Sequence, residues 1–185
     1  MRERDQQASE NKHLLSQIIL AVEFLAKEGL PFRGHRDDKL DFSTEEVNRG
    51  NFIATLQLMA KGDSVLNNHL LTAKRNAKYT SKTIQNEVVH IYACKIRERL
   101  TKSLRESKLP FIVIADETTD RYANREILAV CLRFVDLSSP HDPHIKECLL
   151  SFLHLDRANA DSISRSILEA ISDPSVSLDP HQIRV

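Results

Sequence analysis

Apolar residues recur every three or four positions through the first hundred residues of the chain and then switch to continuous or alternating runs, a change from helical to extended periodicity. From Ser9 to Lys27, Leu14, Ile18, Val22 and Leu25 form a stripe flanked by Leu15, Ile19 and Ala26, which predicts a helix; Gly29 is placed to cap it and Pro31 stops it. The residues before Ser9 are expected to fray. Leu30 to Phe42 reads as irregular, with Gly34 as its hinge. Ser43 and Glu46 have capping-box spacing and open a second helix through Asn48, Phe52, Leu56 and Met59. Gly62 ends that helix, and Asp63 is placed to cap a short third carrying Val65, Leu66, Leu70 and Leu71. After the basic link AKRNAKYT, Ser81 starts the longest helix, with a stripe of Ile84, Val88, Ile91, Tyr92, Ile96, Leu100 and Leu104. Its opposite face, with Lys95, Arg97, Glu98, Arg99 and Lys102, is expected to be solvated.

Beyond Pro110 the pattern is that of strands. Phe111 to Ala115 is a run without alternation, which predicts a central strand covered on both faces and ending at Asp116, on the rim of the sheet. Glu126 to Asp136 and Ile145 to Leu155 read as two more strands, separated by the breaker-rich SSPHDPH. Asn159 can cap a last helix through Ile163, Ile167, Leu168 and Ile171, with Pro174 just beyond. Short connections favour an antiparallel meander. The expected class is α/β of the α+β kind: a helical region over residues 1–108, then a sheet-bearing region over 109–185.

Charge changes this picture little. The chain of 185 residues balances 26 basic against 26 acidic side chains, so composition carries no polyanion-binding signature. Cys94, Cys131 and Cys148 are odd in number and lack CxxC spacing, which argues against a disulfide framework and for a reducing compartment. The polar MRERDQQASENK start lacks the apolar core of a signal peptide, and no apolar run approaches the ~20 residues of a membrane span.

Taken alone, Asp116 reads as a strand-end carboxylate satisfying turn amides, and Glu117, Thr118, Thr119 and Asp120 as turn residues or caps. His141, His144 and Cys148 read as a surface turn and strand in place of a zinc site, because no fourth ligand is evident. His90 and Cys94 share a helix face where burial is the better reading. Arg33, Arg36, Lys74, Arg75 and Lys78 flank the helical part; in a chain without net charge such residues are more often a solvated face than a phosphate-binding one.

Four separated motifs, LPFRGH (Leu30–His35), NRGNF (Asn48–Phe52), YTSKTIQNEVV (Tyr79–Val89) and ADETTD (Ala115–Asp120), occur in an order that resembles the hAT superfamily of transposase-derived proteins. Within it, the resemblance is to the group of MYM-type zinc-finger proteins and repressors of the inhibitor of the protein kinase. The resemblance covers the chain from about Leu30 onward. It implies a helical region followed by the first part of a ribonuclease-H-like fold, with an incomplete sheet. It also implies that Asp116 is the first of three acids that hold two divalent cations, Mg²⁺ or Mn²⁺, for cleavage and transfer of DNA strands. The second aspartate and the glutamate of such a triad are expected past Val185, so the sequence looks like an amino-terminal slice without activity of its own. By the same resemblance the protein is nuclear, Arg33, Lys74, Arg75 and Lys78 are DNA-contact candidates of weak affinity, and a bare strand edge promotes self-association. The alternative is a domesticated, non-catalytic protein- or DNA-interaction module in transcriptional regulation.

Overall fold

A computed structural model describes residues 2–34, 48–74, 77–121, 125–137, 141–157 and 159–184, arranged as two compact units, Met1–Ile91 and Tyr92–Val185. Five helices and a three-stranded antiparallel sheet make this a mixed α+β protein, as the periodicity switch anticipates.

In the first unit, α1 (Arg2–Lys27) buries Leu14, Ile18, Ala21, Val22 and Leu25, the stripe read from the sequence. Its first turns, expected to fray, are helical and carry side-chain bonds one turn apart, Gln6 to Glu10 and Gln7 to Asn11, each at 3.2 Å. The apolar side of α1 packs on α2 (Asn51–Ala60) and α3 (Ser64–Thr72), which contribute Phe52, Ile53, Leu56, Ala60, Leu66 and Leu70. Asp63 caps α3 by accepting from the Leu66 amide at 3.0 Å. It also pairs with His13 Nε2 at 2.6 Å, so one carboxylate ties α1 to the start of α3.

The expected capping box at Ser43–Glu46 lies outside the described residues. The observed α2 starts later than that reading, at Asn51, with Gly50 as its N-cap and no side-chain cap bond. The reason lies in the backbone. Gly50 has φ +95°, and a Cβ there would lie 2.3 Å from the nitrogen of Gly34; a Cβ on Gly34 would lie 2.6 Å from the nitrogen of Gly50. The two chains touch backbone to backbone, which only glycine permits. Around this crossing the Phe52 amide donates to the Phe32 carbonyl at 3.0 Å and Asn51 Nδ2 to the Pro31 carbonyl at 2.9 Å. The PFRG and NRGNF motifs are therefore two halves of one clasp.

Helix α4 (Lys82–Ser107) crosses the division between the units, and β1 (Ile112–Asp120), β2 (Arg125–Asp136), β3 (His144–Leu155) and α5 (Ala160–Ser172) follow in the second unit. The strand order is β1-β2-β3. Leu128, Val130, Leu132 and Phe134 of β2 alternate into a core shared with Leu104, Phe111, Leu150, Leu155, Ala170, Ile171, Val176 and Leu178. Asn159 caps α5, accepting from the Ser162 amide at 2.9 Å.

Two readings need correction here. First, among the described residues β1 is an edge strand, not a central one, and exposed along most of its length. Second, the charged face of α4 is not uniformly wet. A β-bulge between Val130 and Cys131 of the β2–β3 ladder frees backbone at Leu150, and Arg97 Nε donates to the Leu150 carbonyl at 3.0 Å. Arg105 likewise donates to Thr101 Oγ1 and to the Val176 carbonyl, both at 2.8 Å. Conversely, Ile91 and Ile96 of the predicted stripe are exposed.

Three substitutions test this account of the first unit. Gly50→Ala is expected to cost on the order of 3 kcal/mol, since it adds both strain and a clash. Gly29→Ala, at φ +64° with nothing within 4 Å of the new Cβ, is expected to cost about 1 kcal/mol, the strain alone. Urea unfolding midpoints of the two variants measure the difference. Asp63→Ala is expected to cost about 1 kcal/mol at neutral pH. The Leu66 amide, and after it His13, hold the Asp63 carboxyl below its ordinary value. Its stabilisation is therefore present above the unfolded carboxylate range and disappears as pH falls through the lower folded value. The melting temperatures of wild type and variant, followed against pH, should converge in acid.

Candidate functional site

Asp116 lies in the middle of β1, five residues into a nine-residue strand, and not at its tip. The register sets its side. Val113 pairs with Leu132 and Ala115 with Val130, on the face that packs the core, so Asp116, paired with Ala129, points to the other face. Phe152 of β3 continues the same row beyond Ala129. The outward face carries exposed apolar residues, among them Ile112, Ile114, Leu149 and Phe152, the last at 63%, together with the exposed Arg133–Glu147 ion pair at 3.3 Å. Thr118 and Asp120 lie along the same side of β1, the latter paired with Arg125, while Glu117 takes the core side opposite Leu128. These residues are strand, not the turn the sequence suggests. Thr119 Oγ1 donates to the Glu126 carboxylate at 3.1 Å across the ladder.

The free edge of β1 carries one more feature. The Phe111 amide donates to the Gln182 carbonyl at 3.1 Å and the Arg184 amide to the Phe111 carbonyl at 2.9 Å, an isolated parallel bridge between Phe111 and Ile183. It is delivered by a 3-10 turn, Pro180–Gln182, which Asp179 caps. Sequence reading missed it, because a single bridge leaves no periodicity; Pro180 after Asp179 is the local turn signal that was there to read.

Divalent cations of the Mg²⁺ type need several oxygen ligands around one point. Among the described residues no group of three or more His, Cys, Asp or Glu side chains could hold a metal ion. Asp116 has Ala129 across the ladder and Asp120 four residues further along the same side of β1, and it does not by itself fit a two-cation cage. His141, His144 and Cys148 do not converge either: both histidines are exposed, and Cys148 is half-buried within β3, its thiol pushed up chiefly by burial.

The basic candidates belong to the first unit. Arg33 is exposed and donates from Nη2 to Asn86 Oδ1 at 2.9 Å. Lys74 is exposed just past the end of α3. Lys78 is buried, with its ammonium donating to the Leu70 carbonyl, where it satisfies the carboxy-terminal turn of α3. Arg75 lies outside the described residues. No helix among the described residues is long and apolar enough to cross a membrane.

The 52 kDa repressor of the inhibitor of the protein kinase from Homo sapiens is 30% identical over 145 residues, which is 78% of this chain and 18% of that protein. The chain thus spans under a fifth of the length of this curated relative. The family model described as ZMYM1/FAM200, RNase-like domain (DUF4371) matches residues 1–185. Match and topology agree, and the chain belongs to the ZMYM1/FAM200, RNase-like domain family.

Proposed function

We propose that this chain is a hAT-type, transposase-derived ribonuclease-H-like domain in which Asp116 descends from the first of three cation-binding acids. The observation that carries this reading is the parallel bridge at Phe111–Ile183. An antiparallel β1-β2-β3 meander, a helix, and then a segment that begins to run parallel to β1 on its free edge is the start of such a sheet. A strand continuing in that register would run beside Asp116, where a second carboxylate is expected. The RNase-like family description supports the same fold.

A second reading rests on a separate observation. The human relative is described as a repressor, and the neighbours of Asp116 on the outward face include the exposed apolar residues Ile114 and Phe152 where cation ligands would be expected. Both support a domesticated nuclear module that contributes a binding surface in gene regulation and leaves Asp116 without chemistry. On either reading the chain as given does not cut DNA, because one carboxylate cannot hold both the attacking and the leaving oxygen through cations.

Labelled DNA incubated with this chain and Mg²⁺ or Mn²⁺ is expected to remain intact. Strand cleavage that disappears in Asp116→Ala would overturn the statement that the chain is inactive. Because β1 offers unpaired backbone along its free edge beside exposed Ile112 and Ile114, self-association is expected at high concentration. Light scattering should show a mass that rises with concentration, and a monodisperse monomer throughout would count against it.

A further inference from the structure

The first unit holds a cleft that the reading above does not use. Its volume is about 400 Å³, within the range of small-molecule sites, and it lies between α1 and α3, with Asn11, Asn68, His69, Thr72, Lys74 and Tyr79 among its walls. Three further observations meet there. Tyr79 has φ +57°, a left-handed conformation that an aromatic residue adopts at a cost. Its ring stacks on that of His69, with centroids 6.3 Å apart and planes 15° from parallel. The Nε2 atom of His69 is enclosed and has no hydrogen-bond partner among the described residues.

The chemistry of His69 sharpens the point. Burial lowers its pKa, with the charge of Lys78 acting in the same direction and the carbonyls of Ala77 and Lys78 opposing, so the ring is neutral at pH 7. A neutral imidazole carries one donor and one acceptor nitrogen, and Nε2 is left without a partner among the described residues. A buried ring nitrogen left unmatched costs free energy that a polar group of a ligand would recover. The walls thus combine a stacked aromatic pair, an unmatched ring nitrogen, two carboxamides that both donate and accept, and the Lys74 ammonium at the rim. Glu10 lines the same cleft and bonds to Gln6. One ammonium set against one carboxylate suits a ligand with a single phosphate better than a polyphosphate.

We propose that this cleft binds a nucleobase bearing one phosphate, with the base against Tyr79, its edge read by His69, Asn11 and Asn68, and the phosphate at Lys74. A free nucleotide and an unstacked residue of a single strand present the same chemistry, and titrations with each distinguish them.

The test uses calorimetric titration of the full chain with adenosine monophosphate, adenosine, inorganic phosphate and a short oligodeoxyadenylate. Adenosine monophosphate is expected to bind, and Lys74→Gln to weaken it about fivefold, the scale of one partly exposed charge contact, while leaving adenosine unchanged. Tyr79→Gly removes the ring where glycine suits the backbone. It is expected to keep or raise the melting temperature while weakening the monophosphate and the nucleoside about tenfold or more, the scale of one lost stacking contact. Tighter binding of the oligonucleotide than of the monophosphate would identify a single strand as the source, and the reverse order a free nucleotide. The proposal is overturned if neither ligand binds, if inorganic phosphate binds as tightly as the monophosphate, or if Tyr79→Gly binds like wild type.

Discussion

One-sided burial of β2 is the constraint on which the second unit depends. Leu128, Val130, Leu132 and Phe134 can leave water only on the side where Leu104, Ile171, Val176 and Leu178 wait for them. At roughly 25 cal/mol per Å² of apolar surface, four such side chains far outweigh any single polar contact nearby. Because strand pairs share a face, that choice fixes β1 as well, and Asp116 is directed outward as a consequence of hydrophobic packing two strand positions away. Arg97 and Arg105 then secure backbone carbonyls that the packing has stranded in half-buried surroundings.

The first unit is organised by a different device. There, two glycines allow two pieces of backbone to touch, and the helices gather around the contact. Apolar stripes could have assembled α1, α2 and α3 in more than one way. The clasp at Gly34 and Gly50, and the His13–Asp63 pair, select among them.

Much of this was legible from residues alone. The stripe of α1, the caps at Asp63 and Asn159 and the three-strand meander follow from spacing and from side chains that satisfy helix-end amides. The position of β1 was not legible, because a continuous run such as FIVIA looks the same whether its second face is covered or its partner strand lies elsewhere. Asp116 was found by motif, but its place in mid-strand was not, since DETTD has the composition of a turn and adopts extended structure only because β2 pairs with it to the end. Lys78 and Arg97 were read as surface charges. Their burial depends on which carbonyls tertiary structure leaves unpaired, which no local pattern encodes.

The bulge in the second ladder has a consequence for phase. On one side of it Leu149 shares a row with Cys131; on the other, Phe152 shares a row with Ala129, so both project outward although they are three residues apart. Plain alternation would have sent one of them inward. The inserted residue inverts the in-out rhythm of the last third of β3, and through it the aromatic side chain of Phe152 meets solvent in the same row as Asp116 while Leu155 is drawn into the core. Deleting Leu150, the inserted residue, would restore plain alternation with Phe152 still outward and Leu155 still inward, and would remove the carbonyl that Arg97 holds, whereas deleting a residue outside the bulge would exchange the two environments.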